Sequence, residues 1–302
     1  MTAPAPGFRV ERIDYESGLP DLRTVRETVF VQEQKVPLAL EWDALDPLSH
    51  HVIARDLDGC PIGTGRLTPE RHLGRMAVLR SWRGRGVGDA LLRTLLAQAA
   101  ALGWPMLALH AQIHAIAFYA RHGFLPTGHR FEEAGIEHQA MELRIGAINP
   151  VGDRGAAIAA AIGVIGGARR RLIIHSRDLD PGVLDAPMVS ETLRRFAVGK
   201  GEIRILLHDP GAPQRNASPL IALHQRLPSV IAFRAVEEPS DLAYPSAYLA
   251  NDRGGYYFRP MAGRFEGDSR LDDPGRARQL ANAFEPVWER ARACSEFRAL
   301  GI

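Results

Sequence analysis

The sequence predicts an α/β protein with two domains, and three observations support this class. The chain has 302 residues, which is enough for two domains that each bury a core. Apolar residues make up 46% and charged residues 24%, as in an ordinary globular protein. Short apolar strand patterns alternate with helical periodicity, and the alternation restarts after a cluster of chain-breaking residues at 149–153. We therefore expect one domain over residues 1–148 and a second over residues 153–302.

The first domain is expected to alternate strands with helices. Its clearest helix is Asp89–Leu102, because Leu91, Leu95 and Ala99 recur on one face and Gly103 can end the helix. The other helices are predicted at Leu19–Gln32 and His114–His122, and the strands at Phe8–Ile13, His51–Asp56, Pro61–Leu67, Arg75–Leu79, Met106–Leu109, from Phe124 onward, and at His138–Ile145.

The second domain repeats this alternation. Its longest apolar stretch, Gly155–Ala168, is shorter than the roughly 20 residues that span a bilayer, so a buried helix is expected there. Helices are predicted at Arg154–Ala168, Met188–Val198, Ser218–Arg226 and Gly275–Arg292, and strands at Arg171–His175, Glu202–Leu207, Val230–Arg234, Ala247–Ala250 and Gly255–Arg259.

Composition excludes several classes of protein. The net charge of +2 disfavours a nucleic-acid partner. Cys60 and Cys294 are too few and too far apart for a disulfide framework or a metal site, so no metal is expected. The segment Met1–Phe8 has neither a basic nor an apolar region of a signal peptide, so we expect a cytoplasmic protein that does not enter the membrane.

The segment Arg83-Gly84-Arg85-Gly86-Val87-Gly88 follows a strand and opens a helix. The first N–H groups of a helix lack internal partners, and the helix dipole adds positive potential there. Glycines let a ligand approach the backbone closely, and the two arginines add positive charge. This segment is therefore predicted to bind an anion such as a pyrophosphate.

Two familiar nucleotide motifs do not fit this segment. The third glycine of a dinucleotide fingerprint would fall on Asp89 or on Leu91, depending on the register. A Walker A loop needs a lysine, and none lies nearby. The pattern that fits is Arg/Gln-x-x-Gly-x-Gly/Ala, which alone is equally consistent with a simple glycine turn before a helix.

This loop and several further segments together resemble the GNAT acetyltransferase superfamily, in its ElaA/YjcF-like branch. They occur in the family's order and cover roughly residues 8–145. The segments are Val29–Gln34, Gly63–Leu67, Gly74–Val78, Arg83–Gly88, Leu109–Gln112, Phe118–Phe124 and Phe131–His138. The resemblance implies a GNAT fold, with a central mixed and mostly antiparallel sheet flanked by helices, followed by the second α/β domain.

The resemblance also implies a cosubstrate, acetyl-CoA, and its contacts. The strand residues Met76, Ala77 and Val78 would pair with the pantetheine arm. The pyrophosphate would lie on the loop residues Arg83, Gly84, Arg85, Gly86, Val87 and Gly88. The implied reaction is direct transfer of the acetyl group to a small amine or a protein amine, and a homodimer is left open.

Catalytic roles follow only from the resemblance. Tyr119 would protonate the departing thiolate as a general acid, and its alternative role is that of a half-buried packing residue on a helix. Glu33, Glu132 and His138 are the candidates for the general base, although each of them could instead be a solvated surface charge or a satisfied polar residue. His114 stands where many family members carry asparagine, and His110 ends a strand that could face the acceptor.

The second domain weakly resembles one half of a phospholipase D-like fold. If Asp252 is aligned with the motif aspartate, Ala247 and Pro245 occupy the lysine and histidine positions, so this domain is expected to be non-catalytic. His175, Arg177 and Asp178 follow a strand and are open as a polar site. The aromatic residues and arginine of a hairpin at 244–259 could stack nucleobases, but a packed hairpin face is the favoured prediction. The alternative function is an acetyl-CoA sensor whose second domain contacts nucleic acid or a protein.

Overall fold

A computed structural model describes residues 7–297, which divide into two compact units. The first unit contains the chain up to Ile113 together with Gly128–Ile145. The second contains His114–Thr127 and the chain from Gly146 onward. The predicted helix at His114–His122 therefore makes its contacts within the second unit, although it lies inside the first half of the sequence.

The first unit is built on a seven-stranded sheet in the order β1-β2-β3-β4-β5-β7-β6. Only the pair β4–β5 is parallel among the registered pairs, which confirms the predicted mixed, mostly antiparallel sheet flanked by helices. The strands up to residue 145 are β1 (Phe8–Ile13), β2 (His50–Asp56), β3 (Pro61–Leu67), β4 (His72–Val78), β5 (Met106–Gln112), β6 (Leu125–Glu133) and β7 (Ile136–Arg144), and the helices are α1 (Tyr15–Arg26), α2 (Leu38–Glu41), α3 (Val87–Ala101) and α4 (Ile116–Ala120).

The first predicted helix changes its winding partway along. After α1 the chain forms a π-helix at Glu27–Glu33, in which the Gln34 N–H donates to the Val29 carbonyl. β-Branched residues in this segment lower its preference for a regular α-helix, and π-helical turns are frequent at functional sites. The π-helix packs Val29 and Phe30 against Ala77 of β4.

Glycines in β3 leave room for side chains of α3 and β4 to pack closely against this strand. A Cβ on Gly65 would lie 2.6 Å from the Met76 sulfur and 2.9 Å from Leu95 Cδ1. The predicted apolar face of α3 is buried, and Gly103 follows the helix with a positive φ of 68°, as expected for its end. The loop before α3 is thereby fixed against a packed core.

A cluster of buried charges attaches the segment around α2 to the sheet. The Arg26 guanidinium is fully buried and donates to Glu41 at 2.5 Å and to Asp46 at 2.7 Å. Arg66 of β3 donates to the same Asp46 oxygen at 2.8 Å. Burial of such charges is tolerated only when each has a partner, so this buried ion cluster constrains the chain between α1 and β2.

The second unit is built on an eight-stranded sheet in the order β15-β11-β10-β9-β12-β13-β14-β8. The strands β9, β10 and β11 are parallel, and the others pair antiparallel. The strands from residue 146 are β8 (Asn149–Val151), β9 (Arg171–Ser176), β10 (Glu202–Leu207), β11 (Ile231–Ala235), β12 (Ala247–Asn251), β13 (Tyr256–Arg259), β14 (Gly267–Arg270) and β15 (Arg292–Ala293), and the helices are α5 (Arg154–Gly167), α6 (Pro187–Val198), α7 (Ala212–Arg215), α8 (Pro219–Arg226), α9 (Pro239–Leu242) and α10 (Pro274–Arg290).

The breaker cluster at 149–153 is partly a strand, which the sequence analysis did not predict. Pro150 is compatible with β8 because β8 is an edge strand, where a missing N–H costs no ladder bond. The expected helix at Gly155–Ala168 is confirmed as the buried helix α5. Within residues 7–297, the protein has no helix long and apolar enough to traverse a bilayer.

The aromatic hairpin of the second unit packs into the core. Tyr248, Tyr256 and Tyr257 are each at most 2% exposed. The structure thus agrees with the favoured prediction of a packed hairpin face rather than a surface for stacking bases. Tyr248 and Tyr256 pack with residues of α10, and the Tyr257 hydroxyl donates to the Phe265 carbonyl. Asp252, which was aligned with a catalytic aspartate, accepts hydrogen bonds from the backbone N–H groups of Arg169 and Arg170 instead.

Candidate active site

The strands β4 and β5 separate where the predicted cosubstrate strand begins. Their parallel ladder joins His72 to Ala108 and Leu73 to Leu109, and among the described residues it extends no further. Both strands continue beyond this point, β4 to Val78 and β5 to Gln112. The separation leaves one edge of β4 accessible between the two strands.

A bulge in β4 sets which residues face this gap. The register with β3 shifts between Thr64 and Arg66, where Arg75 adopts a positive φ of 51°. The Leu79 N–H donates to the Ile62 carbonyl on β3. Because successive strand residues alternate their backbone groups between the two sides, Val78 and Met76 direct theirs away from β3 and toward the gap.

The loop beyond β4 has the geometry of an anion-binding turn. Gly84 and Gly86 have φ values of 75° and 84°, in the left-handed region that disfavours other residues. A Cβ at either position would meet no atom within 4 Å, so the space above both is open. Gly86 is the N-cap of α3, so the free N–H groups of the first helical turn lie beside this open space.

The two arginines of the loop differ in their contacts. Arg83 donates through Nη1 and Nη2 to both carboxylate oxygens of Glu33, at 2.6 and 2.7 Å, and through Nε to the Val78 carbonyl. Hydrogen bonding from Arg83 lowers the pKa of the Glu33 carboxyl. Arg85 lies over the Trp82 ring at 5.0 Å. Glu33, a candidate base, is therefore the partner of an arginine predicted to bind the cosubstrate.

Tyr119 lies on α4 in the second unit and is buried. Its ring packs edge-on against Phe118 at 5.0 Å and Phe124 at 6.0 Å. Burial raises the pKa of the Tyr119 hydroxyl, so the hydroxyl is protonated at neutral pH. His114 lies in the short turn before α4 and is exposed.

The remaining candidate bases lie on the β6–β7 hairpin of the first unit. His138 is buried, donates through Nδ1 to the Ile136 carbonyl at 2.8 Å and stacks on Phe131. Glu132 is exposed. Its neighbour Glu133, which the sequence analysis overlooked, lies 3.0 Å from Nδ1 of His110 on β5. Alternation along β6 implies that only one of two adjacent glutamates can lie on the face of the sheet that carries His110.

In the second unit, His175 contacts a different residue from those predicted. Its Nε2 lies 3.0 Å from Nε2 of His208, at the ends of the parallel strands β9 and β10, and its ring stacks on Tyr244. Of the two residues that were expected beside it, Arg177 is exposed and Asp178 is half-buried. Among the described residues, no group of three or more His, Cys, Asp or Glu side chains is arranged to hold a metal ion.

The contact between His175 and His208 predicts that the second unit loses stability in acid. Burial, with the nearby His208, lowers the pKa of His175 from 6.5 to about 3. Between these values the unfolded chain binds a proton that the folded chain does not, so stability falls as the pH drops from 6.5 toward 3. Urea denaturation at several pH values should show this slope, and His175→Gln should reduce it. An unchanged slope in His175→Gln, matching that of the exposed-site variant His129→Gln, would contradict the prediction.

The separated parallel strands and the glycine loop at a helix N-terminus define an acyltransferase. A family model described as an acetyltransferase (GNAT) domain matches residues 19–145. The uncharacterized N-acetyltransferase YjcF of Bacillus subtilis is 38% identical over 130 residues, which are 42% of this chain and 92% of YjcF. The chain therefore belongs to the GNAT acetyltransferase family through its N-terminal part, and it is an acyltransferase.

Solved structures also resemble the N-terminal part. An acyl-CoA N-acyltransferase from Pseudomonas aeruginosa is 30% identical and covers 45% of this chain and 98% of its own, with a TM-score of 0.41. Escherichia coli ElaA is 26% identical with the same coverage and TM-score. A model of a domain of unknown function, DUF7931, matches residues 153–300. These comparisons give no support to the phospholipase D-like resemblance of the second half.

Proposed function

We propose that this chain is an N-acetyltransferase that transfers the acetyl group of acetyl-CoA to a primary amine by direct attack. One observation carries the proposal: the accessible edge of β4 leads into the glycine loop at the N-terminus of α3. An extended thioester arm and its pyrophosphate need these two features in this order. The acceptor is a small amine or a protein amine.

The cosubstrate uses the two features differently. The pyrophosphate accepts hydrogen bonds from the N–H groups of the loop, where Gly84 and Gly86 leave open space. The pantetheine arm pairs with the gap-facing backbone of Met76 and Val78, while Ala77 anchors β4 in the core. From Gly74 to Val78 the accessible edge measures about 13 Å at roughly 3.3 Å per residue. The thioester then lies near Leu73 and Leu109, where the strands separate.

The reaction needs an oxyanion donor, an acid and a base. A backbone N–H of β4 that faces the gap stabilises the oxyanion formed when the amine attacks the thioester carbonyl. Tyr119 is the proposed general acid, the role that the resemblance to the GNAT family implies for a tyrosine at this place in the chain. The contact with Arg83 favours a positioning role for Glu33 over that of a base.

Thiol release in the presence of amines tests the proposal. The protein is incubated with acetyl-CoA and a panel of primary amines, and free CoA is measured with a thiol reagent. We expect release that depends on the amine, because direct transfer requires both substrates. Binding of acetyl-CoA without amine-dependent release from any amine or protein acceptor would favour the sensor alternative. Absence of binding would overturn the proposal.

A further inference from the structure

We infer that His110 is the general base that deprotonates the acceptor amine and that Glu133 is its positioning residue. The inference rests on the proposed acetyl transfer and adds the location of the acceptor subsite. Neither residue was a predicted base, and the comparisons assign neither of them a role.

His110 occupies the position that this role requires along the strand. It follows Leu109, the last residue of β5 that pairs with β4, so it lies where the two strands begin to separate. The thioester of an arm laid along β4 ends near the same point. The His110 side chain is 42% exposed and can therefore meet an incoming amine.

The contact with Glu133 fixes the form of the His110 ring. Nδ1 lies 3.0 Å from a Glu133 carboxylate oxygen, and an ionised carboxylate only accepts hydrogen bonds. Nδ1 of neutral His110 therefore carries the proton, and Nε2 holds the free lone pair of a base. A carboxylate in this position also stabilises the imidazolium formed when Nε2 takes a proton.

Neighbouring side chains form an aromatic wall around this dyad. Phe131 lies edge-on to His110 at 4.7 Å, and its other neighbour is the stacked ring of His138. Phe131 and Glu133 are two residues apart on β6 and share a face, whereas Glu132 points to the opposite one. The wall holds the His110 ring in place beside Glu133.

The charges near His110 are compatible with proton uptake. The ring of His72 lies 4.7 Å away, and burial lowers the pKa of His72 to about 4, so His72 is neutral near pH 7. Arg66 and Arg75 lie near His72 but are paired with Asp43 and, for Arg66, also with Asp46. Glu133 thus supplies the carboxylate in direct contact with His110.

The step is balanced without any further reactant. The amine nitrogen forms a bond to the acetyl carbon, the C–S bond breaks, and the proton leaving nitrogen goes to Nε2 of His110. The thiolate takes a proton from the general acid, so the products are an N-acetyl amine and CoA. His110 then releases its proton to solvent and the general acid takes one up from solvent, so both groups return to their starting forms.

Two glutamates of the same hairpin provide a matched test. We would compare Glu133→Gln with Glu137→Gln, at a residue of β7 that is 57% exposed and lies 3.7 Å from Arg130, alongside His110→Gln and the conservative variant Glu133→Asp. His110→Gln should lower kcat by about 100-fold or more, with acetyl-CoA affinity unchanged. Glu133→Gln should lower kcat by at least about 10-fold with little change in KM, Glu133→Asp should restore part of it, and Glu137→Gln should match the native protein.

A spectroscopic readout separates positioning from simple structural support. The ¹⁵N NMR signals of His110 should show the proton on Nδ1 in the native protein and in Glu137→Gln, but a mixture of tautomers in Glu133→Gln. Native kcat in His110→Gln, or equal effects of the two glutamate variants, would overturn this inference while leaving acetyl transfer intact. Failure of the native protein to bind acetyl-CoA would instead overturn the proposed function, and this inference with it.

Discussion

Gly86→Asp is expected to weaken acetyl-CoA binding by at least about 100-fold. The new carboxylate would stand in the open space above the loop, where the pyrophosphate is proposed to lie. Two like charges about 4 Å apart repel by about 4 kcal/mol at the effective dielectric constant of a protein surface, and each 1.4 kcal/mol is tenfold in affinity. The added Cβ also occupies space that the ligand needs. Titration calorimetry with acetyl-CoA measures the effect.

A glycine just beyond the other end of α3 gives a matched control. Gly103 follows the other end of α3, also has a positive φ, and also faces open space. Gly103→Asp therefore introduces the same charge and a similar backbone strain, about 1–2 kcal/mol, far from the loop. It should bind acetyl-CoA normally. Equal losses in both variants would show that strain, rather than a pyrophosphate site, explains the result, and native affinity in Gly86→Asp would remove the site from this loop.

Arg26→Leu is expected to destabilise the first unit by about 3–5 kcal/mol, because it leaves buried carboxylates without their partner. Glu41 and Asp46 are at most 2% exposed, and Arg26 donates to both. Arg66 still contacts Asp46, but Glu41 keeps only the more distant Arg75, at 3.5 Å. Urea denaturation monitored by hydrogen-exchange mass spectrometry measures the unfolding of the strands of the first unit separately from that of the second.

An exposed arginine of the same unit provides the comparison. Arg9 is 59% exposed and lies 3.5 Å from Glu11, which also pairs with Arg55. Because exposed ion pairs contribute little, Arg9→Leu should change stability by less than about 0.5 kcal/mol. If Arg26→Leu is as stable as Arg9→Leu, the buried ion cluster does not hold the segment between α1 and β2 in place. A loss confined to the first unit would support it.

The sequence alone was sufficient for features encoded by neighbouring residues. The alternation of strands and helices, the buried helix α5 and the apolar face of α3 follow from local periodicity, and the structure confirms them. The glycine loop was also readable, since positive φ values at Gly84 and Gly86 are a property of glycine itself. The family followed from ordered short motifs, each of which is local.

Contacts between distant parts of the chain were decided only by the tertiary structure. Arg83 meets Glu33 fifty residues away, and Arg26 meets Asp46 across twenty. The sequence pattern predicted a strand from Phe124 onward, but it did not show which of its residues lie on which face of the sheet. The fold decides this, and it brings Glu133 rather than Glu132 to His110. Strand pairing brings such residues together through backbone hydrogen bonds that carry no side-chain signature, so one sequence names the candidate residues while the fold selects among them.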